Sequence, residues 1–220
     1  ISDSSREISV SEGYNLATGD CVGIIASRDS SCIVDYANNE TRPLPIEMNC
    51  KIALSNSEDI ICGSTTVYNI VNNVKHDIPL EGTISAHIFS NDDENIFLGT
   101  NYGGNTLWDI NSLSSGPVLT FKSHSVRTSN AAFHPVNDIL ATVSWDKSIL
   151  LFDTKSGDLI ADIIDAHPFH IKSAAFRNDN YLFTSSNGSQ LNAWDIRMPI
   201  KRIFSTEIPG VATEMKFAQN

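Results

Sequence analysis

The feature that most constrains this chain is a unit that occurs twice in succession between Ser123 and Arg197. The first copy runs through Ser123-His124, then Asn130-Ala131-Ala132-Phe133-His134-Pro135, then Ile139-Leu140-Ala141-Thr142-Val143-Ser144-Trp145-Asp146, then Ile149-Leu150-Leu151-Phe152-Asp153. The second keeps the order with Ala166-His167, Ser173-Ala174-Ala175-Phe176, Tyr181-Leu182-Phe183-Thr184-Ser185-Ser186 and Leu191-Asn192-Ala193-Trp194-Asp195. The closing Asp recurs after 195 − 153 = 42 residues. A period of that length, assembled from short strand-like runs, predicts propeller blades of four antiparallel strands.

Weaker copies precede these two. Glu7 to Ser11, Cys21 to Asp29, Cys32 to Asp35 and an edge strand over Arg42 to Glu47 make a first. That last strand holds Pro43 and Pro45, which only an edge position tolerates. Lys51 to Ser55, Asp59 to Ser64, Val67 to Ile70 and Lys75 to Leu80 make a second, and Ile84 to Ser90, Asn95 to Thr100, Leu107 to Ile110 and Val118 to Phe121 a third. Closing positions Asp35, Asn69, Asp109, Asp153 and Asp195 are spaced by 34, 40, 44 and 42 residues. Turn signals such as Gly103-Gly104-Asn105, Lys155-Ser156-Gly157-Asp158 and Asn187-Gly188-Ser189 separate the runs, where positive φ is accessible. No sustained 3.6-residue period is present, so few helices are expected.

The expected architecture is thus a single all-β propeller domain over 1–220, with blades near 7–47, 51–80, 84–121, 130–164 and 173–206. Residues 212–217 read as the first strand of a sixth blade, which leads us to expect part of a longer propeller of about seven blades.

The Ser-His and Ala-His pairs that open the two copies, with the Trp-Asp that closes the second, resemble the WD-repeat (β-transducin) family, which uses Gly-His and Trp-Asp there. The resemblance implies a polar network in each blade. In the fourth it falls on His124, Ser144 and Asp146, with Phe152 where an indole N–H is expected. In the fifth it falls on His167, Ser186 and Trp194, with Gly188 where the turn Asp is expected. It also implies a non-catalytic protein–protein interaction scaffold within an intracellular multiprotein complex, cytoplasmic or nuclear. Trp194-Asp195-Ile196-Arg197 resembles the Trp-Asp-x-Arg motif of WD-repeat substrate receptors for cullin-RING ubiquitin ligases, with Asp195 and Arg197 as adaptor contacts; this is the alternative reading. An enzyme with a site at the propeller channel is a minor one.

With 15 basic against 26 acidic residues, the net charge of −11 disfavours direct nucleic-acid binding. No apolar run approaches the roughly 18 residues of a membrane span, so no membrane insertion is expected. Cys21, Cys32, Cys50 and Cys62 lie 11, 18 and 12 residues apart, which suits neither paired zinc ligands nor a compact disulfide framework. His124 with Ser144 and Asp146 also contains the residue types of a catalytic triad, but the repeat network accounts for them, and no Gly-x-Ser-x-Gly elbow occurs. His167 and His170 lie in a loop rather than at a helical metal-ligand spacing, and no phosphate-cradling Gly-rich loop is present. No cofactor is expected. Trp145, Tyr102 and Phe169, large aromatics at loop tips, are candidate partner contacts together with Asp195 and Arg197.

Overall fold

In a computed structural model, the structure describes residues 15–18, 22–26, 31–36, 38–44, 52–80, 82–177 and 180–217. Among them lie twenty strands in five four-stranded antiparallel sheets, each in simple sequential order. Blade 1 comprises β1 (Asn15–Thr18), β2 (Val22–Ala26), β3 (Ser31–Asp35) and β4 (Glu40–Pro43). Blade 2 comprises β5 (Ile52–Leu54), β6 (Ile60–Gly63), β7 (Thr66–Asn69) and β8 (Val74–Asp77). Blade 3 comprises β9 (Ile84–Phe89), β10 (Asn95–Thr100), β11 (Asn105–Asp109) and β12 (Leu119–Phe121), with a 3-10 helix at Ile110–Ser115 before β12. Blade 4 comprises β13 (Thr128–Phe133), β14 (Ile139–Ser144), β15 (Ile149–Asp153) and β16 (Leu159–Ile163). Blade 5 comprises β17 (Ile171–Arg177), β18 (Tyr181–Ser186), β19 (Gln190–Asp195) and β20 (Lys201–Glu207).

The middle strands read as unbroken apolar runs because both of their faces are buried. In β15, Ile149 and Leu151 pack toward Ile171, Ala174 and Leu182 of blade 5. Leu150 and Phe152, one residue out of phase, pack toward Phe97, Leu107 and Phe121 of blade 3. The two-residue period of a strand thus sends alternate side chains into two different inter-blade cores. Two further cores repeat this arrangement. Cys62 and Val67 meet Ile84, Ile96 and Leu98 between blades 2 and 3, and Ile24 and Ile33 meet Ile61 and Tyr68 between blades 1 and 2. Outer strands β4, β8 and β20 are largely exposed.

Bulges recur at one place. The β9–β10, β13–β14 and β17–β18 registers each slip near the start of the inner strand, at Ser85, Ser129 and Lys172. A bulge redirects its side chain, and here two of the three are aimed at the next blade. Ser85 Oγ donates to Thr128 O at 2.7 Å, and Ser129 Oγ to Ile171 O at 2.6 Å.

One expectation lies outside the described residues and another changes. Glu7 to Ser11 lies outside the described residues, and the strand that pairs with β2 is Asn15–Thr18. Residues 212–217 form no strand. The segment nevertheless lies against blade 5, where Ser185 Oγ donates to Ala212 O at 2.9 Å and the Phe217 ring meets Phe183 edge-on at 5.1 Å.

Candidate functional site

The polar network of blade 4 is centred on His124, which is buried. Its Nδ1 lies 3.1 Å from Asp146 Oδ2 and 2.9 Å from Ser148 Oγ, and its Nε2 lies 2.9 Å from Thr142 Oγ1. Asp146 also accepts from Ser125 N and Ser148 N. Burial opposes ionisation of Asp146, yet hydrogen bonds from His124, Ser148 and the two amides outweigh it and hold the carboxyl below the ordinary carboxylate range. Ser144 does not touch His124. Its hydroxyl donates to Arg127 O at 2.8 Å and accepts from Asp146 N at 3.0 Å, shaping the β14–β15 turn.

Blade 5 repeats the geometry without the acid. His167 Nε2 lies 2.7 Å from Thr184 Oγ1, and the Trp194 indole donates to that hydroxyl at 2.9 Å. Thr184, two residues before Ser186, takes the place the sequence suggested for Ser186, whose buried Oγ has no hydrogen-bond partner. Burial pushes the His167 imidazole down to about 4; the Gln190 side chain, whose oxygen favours the charged ring, opposes this, and the charge of Arg202 adds to the depression. In both blades the middle-strand Thr was missed. The available signal was that Thr142 and Thr184 stand at matching places in the two copies.

The closing acids have a different task. Asp153 Oδ1 accepts from Lys155 N and Ser156 N, both at 2.8 Å; Asn69 Oδ1 accepts from Val71 N and Asn72 N; Asp109 Oδ1 accepts from Asn111 N. Each closing side chain folds the backbone over itself as an Asx turn, which explains why Asp and Asn interchange there. Asp195 accepts from Arg197 N at 3.1 Å and also binds the Arg197 guanidinium, Nε at 2.9 Å and Nη2 at 2.5 Å. The Arg197 fork holds the half-buried Asp195 carboxyl at about 2.

These two sets of side chains occupy opposite ends of the blades. The tips joining the second and third strands, with Tyr102, Trp145 and Gly188, lie at one end beside the loops that lead into each inner strand. Backbone bonds from His124 N to Gly103 O, Trp145 N to Arg127 O and Asn187 N to His170 O tie them together. Asp195 and Arg197, after the third strand, lie at the other. At the first end Tyr102 is 83% exposed and Phe169 is 55% exposed, with the Phe169 ring lying over Gly188. Trp145 is only half-buried, not a free tip: its ring stacks on His170 at 5.2 Å and 20°, while Arg127 Cζ and Lys172 Nζ each lie 5.0 Å from its centroid. Among the described residues no cluster of three or more His, Cys, Asp or Glu could hold a metal, and no helix is long and apolar enough to cross a membrane.

No protein-family model matches the chain. It is 38% identical over 104 residues to Protein NEDD1 of Bos taurus, covering 44% of the chain and 15% of that protein. It is 24% identical over 121 residues to a WD repeat-containing protein 55 homolog of Aedes aegypti, covering 55% of the chain and 26% of that protein. It is 25% identical over 125 residues to histone acetyltransferase type B subunit 2 of Kluyveromyces lactis, covering 56% of the chain and 29% of that protein. The chain thus matches less than a third of the length of each relative. Among solved structures, the computationally designed Ika8 protein superimposes with a TM-score of 0.77 at 16% identity, covering 94% of this chain and 66% of that one, a likeness of fold alone. In its repeat signatures, its five four-stranded blades and relatives of this kind, the chain is similar to the WD-repeat β-propeller proteins.

Proposed function

We propose that this protein is a non-catalytic scaffold that holds other proteins in a stable intracellular assembly, in the cytoplasm or the nucleus. The observation that carries the reading is the contrast between the blades and one of their ends. Between blades, the side chains of successive sheets interlock in shared cores. At the end bearing the second-to-third-strand tips, large side chains remain in solvent, Tyr102 and Phe169 foremost. Rigid sheets with variable loops at their ends suit a binding platform, and exposed aromatics are the residue type that anchors protein interfaces. The polar groups of His124 and His167 are spent inside the blades, where they satisfy strands rather than face a substrate. A relative whose name makes it a subunit of a larger enzyme agrees with this reading.

Native affinity purification of the endogenous protein with mass spectrometry tests it. Partners at fixed stoichiometry are expected, retained in Arg197→Ala. A cullin adaptor that is lost in Arg197→Ala would replace the scaffold with a ubiquitin-ligase receptor, and the absence of any stable partner would overturn both.

A further inference from the structure

Lys172 sits at the bulge where blades 3 and 4 carry Ser85 and Ser129. The serines are consumed by bonds to the next blade. The lysine is directed elsewhere, with its ammonium over the Trp145 ring, which Arg127 also approaches. Two cations therefore converge on one aromatic in a chain of net charge −11. Among the described residues neither cation is in an ion pair, a state they share with Arg42, Lys147, Arg177, Lys201 and Arg202; what sets them apart is that both meet one ring. The Arg127 Nε–H is buried and finds no acceptor. Asp146, the adjoining carboxylate, is committed to His124, Ser125 and Ser148. The two cations are thus left without a paired anion, and a buried donor is left unpaired, which carries a cost until an acceptor arrives. Val126 and Phe169, both exposed, adjoin the cluster in the loops that carry Arg127 and His170.

We propose that Arg127, Trp145 and Lys172 form the docking point for an acidic peptide segment of a protein partner, an assignment that rests on the scaffold reading. Carboxylates on the segment take the donors of Arg127 and Lys172, while its apolar side chains cover Trp145 and Phe169. The overall negative charge favours a peptide over a nucleic acid, whose continuous phosphates the rest of the surface repels.

Random peptides displayed on phage and selected on the purified protein provide the test, followed by fluorescence anisotropy of one selected peptide. Enrichment of Asp and Glu over the input library is expected, with binding that weakens as salt rises. Lys172→Ser restores the residue that blades 3 and 4 use at the bulge, so it keeps the fold while weakening the peptide about tenfold, the size of one charge-assisted contact. Selection of neutral sequences, unchanged binding in Lys172→Ser, or displacement of the peptide by an equal concentration of single-stranded oligonucleotide would each overturn the assignment. Native purification separates the two readings. Fixed partners without acidic selection remove the docking point and leave the scaffold, and acidic selection without stable partners does the reverse.

Discussion

The Thr184 hydroxyl lies 2.7 Å from His167 Nε2 and 2.9 Å from the Trp194 indole nitrogen, so one buried oxygen joins the loop before blade 5 to two of its strands. The hydroxyl accepts the indole N–H, and in the tautomer that carries its hydrogen on Nδ1 it donates its own hydrogen to His167 Nε2. Thr184→Val keeps the shape and removes both bonds, leaving the buried indole donor unpaired and the imidazole nitrogen with only the longer Asn192 Nδ2 contact at 3.3 Å. Urea unfolding is expected to show a loss of about 2–4 kcal/mol, since each stranded group costs roughly 1–3 kcal/mol. Thr184→Ser retains the oxygen and should recover most of that loss.

The same imidazole makes stability depend on pH. His167 titrates near 4 in the folded chain and near 6.5 when unfolded. The unfolded state therefore binds the proton first as pH falls. The stabilisation from the neutral ring is fully present above 6.5, declines as pH falls from there to about 4, and is exhausted below. The span corresponds to an upper limit of about 3 kcal/mol. Urea midpoints at pH 7.5 and 5 should converge in His167→Asn relative to the unsubstituted protein. An identical pH slope in the two proteins would rule out His167 as the source.

At Gly103 the backbone has φ +84°, and an added Cβ would stand 2.2 Å from the His124 carbonyl oxygen. Gly82 has φ +107° with nothing within 4 Å of such an atom. Both positions charge an L side chain for its backbone conformation, about 1 kcal/mol; only Gly103 adds a collision with a backbone that cannot yield. Gly103→Ala is therefore expected to destabilise by at least about 2 kcal/mol, clearly more than Gly82→Ala. Equal thermal shifts would show that the loop carrying His124 gives way freely.

What was legible in the sequence was what repeats at fixed places. The closing Asp or Asn recurs in every blade because each folds the same turn with its own side chain, so spacing alone located five blades. The network was half legible. His124, Asp146 and Trp194 have distinctive chemistry, whereas Thr142 and Thr184 are good strand formers inside strand-like runs, where a hydroxyl that bonds a buried histidine is written the same way as one that merely fills a strand. Ser144 and Ser186 drew attention because they end the strand, but the histidine ring reaches two residues deeper. Trp145 read as an exposed tip because a tight turn has no core. Its environment comes from Arg127, His170 and Lys172, brought in by loops 18 to 27 residues away that no local pattern connects to it.

The turn acids offer a local readout that leaves global stability aside. Asp153 holds the amides of Lys155 and Ser156 at the end of β15, and those hydrogen bonds keep its carboxyl below the ordinary range. Asn offers the same Oδ1 acceptor and already performs this task at Asn69. Asp153→Asn should therefore keep both amides protected from hydrogen exchange, whereas Asp153→Ala should release them to rates near those of free loops while the amides of β15 remain slow. Protection that survives in Asp153→Ala would mean that the tight turn, closed by the Gly157 N to Asp153 O bond at 2.9 Å, stands without its side chain.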